Sequence, residues 1–260
     1  MNFLQLIGRG SLEILTLFGA LNLTFYKVMR SLIPPRLDRD EMWRQMYRIG
    51  FLSLPIVMMT AFLVGVIMVL QSMNYVRWTG ATSFVGGGAG LAVLAELGPA
   101  LIGLMFSGRV GANTTAEFGN MVVSEQVDAL RALAIDPIRF LVAPRFVAIV
   151  ISLVMLTIMG DLFGLIGGAA TSHALLDLDW RTFVVGLLDA ELLDAFVIGI
   201  IKAFFFGIVI STVSTTYGLA VSGGAQGVGR AVNGCVVTTA LGIFICDYAL
   251  TWAWVNIMYG

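Results

Sequence analysis

ELGPALIGLMFSGRVGANTTAEFGNMVVSEQVDALRALAIDPIRFLVAPR, residues 96–145, changes character twice. Apart from Glu96 its first dozen residues are uncharged; then Arg109, Glu117, Glu125, Asp128, Arg131, Asp136, Arg139 and Arg145 follow before a second apolar run begins. A hydrocarbon core about 30 Å thick accepts some 20 apolar helical residues and excludes so dense a series of charges. The pattern is therefore one membrane helix entering, a polar break in water, and another helix leaving. Inside the break, Val123, Val127, Leu130 and Ala134 recur at i, i+4, i+7 and i+11, while Glu125, Asp128 and Arg131 fall elsewhere on the wheel. That spacing predicts a short amphipathic helix over 123–135, with Ser124 as its N-cap. Asp136-Pro137 ends it, since the residue before a proline avoids helical backbone and the pair suits the start of the next helix.

Working outward, the run behind this stretch is a span over 84–108 and the run ahead of it a span over 146–170. Two more follow at 192–219 and 231–259, and one precedes at 49–76, each long enough to cross with some tilt. Residues 1–32 are apolar with a polar stripe of Gln5, Arg9, Glu13, Thr16, Thr24 and Lys27, which reads as an interfacial amphipathic helix. Glu13 interrupts the apolar core that a signal peptide needs. Pro34-Pro35 and the arginines at 36, 39, 44 and 48 then form a basic hinge. The hinge, the 109–145 break and Arg230 alternate onto one side of five spans, and the 171–194 connection, with one arginine among five acids, falls on the other. The positive-inside rule places the basic side in the cytoplasm. The expected class is an all-α integral membrane protein: one membrane domain of 260 residues with an interfacial helix, five spans and a short cytoplasmic helix between spans two and three.

Composition agrees and excludes much else. The chain is 58% hydrophobic and 12% charged, about half the charge of a soluble domain. A net charge of -1 with no basic cluster excludes nucleic acid as a partner. Cys235 and Cys246, eleven residues apart in one apolar run, stand about 16 Å apart along a helix and cannot pair. His173 is the sole histidine, so His-based catalytic and metal sites are excluded, and no cofactor is implied. GGAQGVGRA at 223–231 imitates a phosphate loop, but it lacks the lysine, the hydroxyl residue and a preceding strand. It reads as a tight turn between spans four and five. No Walker motif occurs, so any ATP hydrolysis belongs to another chain and this one is not itself an enzyme.

The strings GRVGA, TAEFGNM, SEQVDALRAL, DPIRFLVAPR and SGGAQGVGRA, in this order and over nearly the whole chain, resemble the MlaE/YrbE family of permeases, the membrane subunits of lipid-transporting ABC systems. The resemblance implies a homodimer in the bacterial inner membrane that moves phospholipid or a similar lipid. It implies as partners a cytoplasmic ABC ATPase dimer, a periplasmic ring of MCE-domain protein and, optionally, a small STAS-domain protein. It also implies lipid contacts at Met68, Tyr75, Val76, Glu96 and Leu97. The short helix would couple to the ATPase through Glu125, Gln126, Asp128, Leu130, Arg131, Asp136 and Pro137. At Ala95, Gln226 and Gly234 the chain departs from residues common in the family.

Each motif has a plainer reading beside it. Glu96 is a costly charge at mid-span, about 2.5–3.5 kcal/mol on insertion scales, and serves either a lipid cavity or a structural hydrogen bond beside Pro99. Asp161, Lys202 and Asp247 read as pairing between helices or as placement near outer ends. With Glu96 they could also be drawn as a proton or ion path, which keeps a proton- or ion-coupled secondary transporter as the alternative. A membrane scaffold that only recruits partners is a third reading. The short helix is led by Glu125 and Asp128, whereas a helix resting on a membrane favours Lys and Arg, so docking to a partner is the stronger expectation.

Overall fold

Lipid offers peptide groups no water, so a chain this apolar crosses a bilayer only as helices or as a closed barrel. The computed structural model describes residues 3–32, 39–79, 84–190 and 192–259, and is helical without a strand among them. In order the helices are α1 Phe3–Ser31, α2 Arg39–Ile49, α3 Leu54–Thr79, α4 Phe84–Leu91, α5 Gly98–Phe106, α6 Ala112–Val123, α7 Gln126–Ala132, α8 Ala143–Leu176, α9 Trp180–Asp189, α10 Leu193–Leu219 and α11 Gly224–Tyr259. Five stretches are long and apolar enough to span a membrane: Asp40–Met73, Val85–Val123, Ile138–Leu176, Leu193–Leu219 and Gly224–Met258. The protein is thus an all-α, multi-pass membrane protein.

The second of these stretches runs further than the 84–108 expected from its apolar residues. From Phe84 to Val123 the backbone stays helical, with π-turns at Ala92–Leu97 and Ser107–Gly111 linking α4, α5 and α6. The charges that mark its end in the sequence find partners on neighbouring elements, Arg109 on Leu52 O and Glu117 on Arg48 and Arg145, so the helix continues past them. The third likewise begins in a π-turn at Ile138–Val142 before α8. The fifth begins at Gly224, so most of GGAQGVGRA is the first turns of α11 and only Gly223 and Gly224, both with positive φ, make the turn.

The central core joins Val57 and Ala61 of α3, Ile102 and Phe106 of α5, Ile149 and Leu153 of α8, Phe206 and Ile210 of α10 and Ile243 of α11. Apolar helices gain no hydrophobic attraction for one another in lipid, so close approach through small residues must supply the packing. α3 and α8 do this through Gly65 against Gly164 and Gly168; a Cβ at Gly65 would run into the Gly164 carbonyl. The 171–194 connection carries α9. Phe183 of α9 packs with Val85 and Ala89 of α4, and Gly86 lies directly under the Phe183 carbonyl.

α1 seats its last turns against the bundle, with Val28 buried among Phe118, Val142 and Phe146, while Leu12, Leu15, Phe18 and Leu23 stay exposed. Of the hinge expected from Pro34, Pro35 and the arginines at 36, 39, 44 and 48, residues 33–38 lie outside the described residues, while Arg39, Arg44 and Arg48 lie on the helix α2 and not in a hinge. One end of the bundle gathers Arg48, Arg109, Arg131, Arg139 and Arg145. The 221–223 turn joins them there, since Val221 lies against Gly119 of α6. The other end carries α9 and its flanking Asp177, Asp179, Asp189 and Asp194.

Candidate functional site

Pro99 decides the geometry around Glu96. It has no N–H, so in a continuous α-helix the carbonyl of Ala95, four residues earlier, would lack its donor. The helix loosens into the π-turn Ala92–Leu97, and Lys202 Nζ of α10 donates to Ala95 O at 2.9 Å. The same Nζ lies 2.7 Å from Glu96 Oε2 and 2.9 Å from Asp247 Oδ1 of α11, the latter an ion contact off the hydrogen-bond axis. Thr251 Oγ1 donates to Glu96 Oε1 at 3.1 Å. Counted by helical rise from the acidic ends of their helices, Glu96, Lys202 and Asp247 all lie about 14–18 Å in, well inside their apolar spans.

Burial divides the work among them. Lys202 is 0% exposed, whereas the Glu96 side chain is 41% exposed. The ammonium is thus enclosed and the carboxylate presents an edge outward from within its apolar span. Losing one partner of a buried pair costs about 3–5 kcal/mol, so the set holds together as a unit. Of the other residues that the resemblance assigns to lipid, Met68 and Leu97 are half-buried on α3 and at the end of the π-turn. The side chains of Tyr75 and Val76 lie outside the described residues. Asp161 stands apart: it is buried on α8 beside Gly98, with neither carboxyl oxygen hydrogen-bonded. No hydrogen bond or ion pair among the described residues links it to the Lys202 set.

At the basic end, the short helix is tighter than the 123–135 expected. Val123 belongs to α6, and Ser124 Oγ donates back to Asn120 O at 2.8 Å, closing α6 instead of capping α7. Glu125 makes the corner with φ 58, and α7 then runs from Gln126 to Ala132. It ends in a Schellman arrangement, with Ala134 N donating to Arg131 O at 3.0 Å and Ile135 N to Leu130 O at 2.9 Å around Ala134 at φ 58. Two left-handed corners without glycine were not visible as helix ends, which is why the periodicity overran both. Asp136 does cap the π-turn that leads into α8: its Oδ1 accepts from Ile138 N at 3.0 Å, with Pro137 in the first turn.

On α7, Val127 points inward and Leu130 is half-buried, leaving Glu125, Gln126, Asp128, Arg131 and Asp136 exposed. Asp128 is already paired, 2.7 Å from Arg131 Nη1, so the acidic pair expected from the sequence is an internal ion pair beside Glu125. Deeper in, Glu117 of α6 holds Arg145 of α8 at 2.6 Å and Arg48 of α2 at 3.0 Å. Among the described residues no group of His, Cys, Asp and Glu could hold a metal ion.

The buried lysine and its proline-orphaned carbonyl thus sit inside a bundle of helices long and apolar enough to span a membrane, with a polar elbow at one end. The family described as Permease MlaE matches residues 42–253. The chain belongs to the MlaE permease family. A probable ABC transporter permease protein of Rickettsia typhi is 36% identical over 252 residues, covering 96% of this chain and 97% of that protein. One from Synechocystis is 35% identical over 249 residues, covering 94% of each. The chloroplastic protein trigalactosyldiacylglycerol 1 of Arabidopsis thaliana is 34% identical over 213 residues, covering 80% of this chain and 61% of that protein. This MlaE-family chain is an ABC transporter permease subunit. Sequence reasoning singled out Glu96, Lys202 and Asp247 and read the last two as pairing between helices or placed near outer ends, but not that they pair with Glu96, because nothing local to Lys202 or Asp247 reports which helices meet. The one signal was Pro99, which announces a free carbonyl that only a donor from another helix can serve.

Proposed function

We propose that this permease moves phospholipid, or a lipid of similar build, between the bacterial inner membrane and an extracytoplasmic MCE-domain carrier. The chain would work as a homodimer, powered by a separate cytoplasmic ATPase dimer docked on α7 and its flanks, with a STAS-domain protein as an optional companion. The observation that carries the reading is the half-exposed Glu96 carboxylate within an apolar span, pinned from behind by the enclosed Lys202. Such an edge gives the polar part of a lipid a place to pause on an otherwise apolar wall, while Met68 and Leu97 take its chains. Family membership and a relative named for a glycerolipid support lipid as the cargo. The proton- or ion-path alternative is less favoured, because Glu96 and Asp247 are both held by Lys202 Nζ and no hydrogen bond or ion pair among the described residues carries the set on to Asp161. A pure scaffold would have no use for a polar edge inside the bilayer.

Glu96→Gln keeps the shape and the Thr251 hydrogen bond, whereas Glu96→Leu removes both. With the permease copurified with its ATPase and reconstituted, Glu96→Leu should lower lipid copurification and transport about tenfold, with normal amounts in the membrane. Glu96→Gln should lie between it and the parent. That is the effect of losing a charge-assisted contact. Loss of folded protein with both variants, or parental transport with Glu96→Leu, would reject a cargo role for Glu96.

A further inference from the structure

Glu117 stands between two arginines that differ in burial. Arg145 is 8% exposed, with Nη2 2.6 Å from Glu117 Oε2 and its guanidinium 4.9 Å from the Phe118 ring centroid. Separating this pair would strand a charge in the bundle, so it is a fixed attachment to α8. Arg48 is 60% exposed, with Nη2 3.0 Å from Glu117 Oε1, an oxygen that also accepts from Asn113 Nδ2 at 3.1 Å. A pair open to water is weak and reversible. The carboxylate is therefore held permanently on one side and releasably on the other.

The releasable side leads to one place, the junction of α2 and α3. Arg48 is at the end of α2, and Arg109, in the π-turn before α6, donates from Nη1 to Leu52 O at 2.6 Å in the 3₁₀ turn that starts α3. Met46 and Ile49 anchor that junction in the central core. Along its length α2 also lines a cleft of about 780 Å³, with Glu41 and Gln45 on one side and Gln126, Asp136 and Arg139 of the elbow on the other. α2 is thus pivoted at Ile49 and tied to the elbow by charge.

Resting on the transport function proposed for the chain, we infer that Glu117 is a positioning residue through which movement of α6 and α7 is passed to α2 and the head of α3, with Arg48 as the contact that makes and breaks. Force applied at α7 would then reach the first span directly, and not only the helices continuous with the elbow. Glu117 is among neither the residues proposed for lipid nor those proposed to meet the ATPase, so its effect is on coupling.

The experiment uses the full permease copurified with its ATPase, in vesicles of phosphatidylethanolamine and phosphatidylglycerol, with a fluorescent phosphatidylethanolamine as probe. ATP hydrolysis and probe movement are measured on the same vesicles. Arg48→Gln should leave complex yield and ATPase rate at parental levels and reduce probe moved per ATP about two- to fivefold, the range expected for one exposed ion pair. Arg48→Lys should restore most of the ratio. Adding Arg48→Gln to Glu117→Gln should change nothing further, since the two act through one contact. A merely structural role would lower yield and both rates together. An unchanged ratio in Arg48→Gln, or independent losses in the double variant, overturns the inference; if Glu117→Gln does not fold, the two Arg48 variants still decide. A parental complex that recruits no ATPase or moves no probe overturns the transport reading as well, and the parental measurement separates the two failures.

Discussion

Ala134 occupies the left-handed region at φ 58, where an L-residue other than Asn or Asp loses about 1 kcal/mol relative to glycine. Its two flanking hydrogen bonds, to Arg131 O and Leu130 O, close the end of α7 and hold it there. Ala134→Gly should therefore stabilise the elbow by about 0.5–1 kcal/mol, and Ala134→Val should destabilise it by more. In a thermal unfolding series of the purified permease this is a rise of about 1–4 °C for glycine and a fall for valine. Equal shifts for both would mean that the corner is not under strain. The same residue marks a limit of the sequence: the apolar rhythm through Val127 and Leu130 announces a helix, but an alanine in a left-handed corner carries no signal of where it stops. Glu96 was legible as an anomaly for the opposite reason, because a carboxylate in an apolar run stands out without any knowledge of its neighbours.

Among elements, the α3–α8 interface is where a single atom matters most. A side chain at Gly65 meets backbone, which cannot turn aside as a side chain can, so Gly65→Val should cost at least the 1–3 kcal/mol typical of overpacking. Gly88 on α4 is the control: nothing lies within 4 Å of its Cβ position, and Gly88→Ala should be neutral or stabilising by up to about 1 kcal/mol. Size-exclusion profiles after graded heating would rank the two, and a tolerant Gly65 would mean that the helices do not pack this closely. The five apolar stretches were readable in outline because lipid imposes length and composition on each independently. α9 was not, since its short run with Phe183 and Leu187 is hidden among the acids of the 171–194 connection, and the glycines of α4 that it meets are brought near only by the fold. The ends of α6 and α8 were obscured in the same way: Glu117 and Arg145 look like residues that leave the membrane until each is seen to hold the other.

For the whole molecule, the arginines gathered at one end are what the positive-inside rule reads as the cytoplasmic side. With Cys235 and Cys246 replaced, Arg131→Cys should react with an impermeant thiol reagent only from the cytoplasmic side and Asp179→Cys only from the opposite side. The reverse pattern would overturn both the orientation and the docking of an ATPase on α7. The Lys202 contact also bears on how the protein is made. Glu96 enters the bilayer with the second span, yet its cation is about 100 residues further along the chain and, at roughly 5–20 residues per second, leaves the ribosome some 5–20 s later. Through that interval the second span carries an unanswered carboxylate worth about 2.5–3.5 kcal/mol against insertion. Its stable lodging in the membrane is consequently an act of the fourth and fifth spans, and a nascent chain stopped before α10 should hold the second span only loosely.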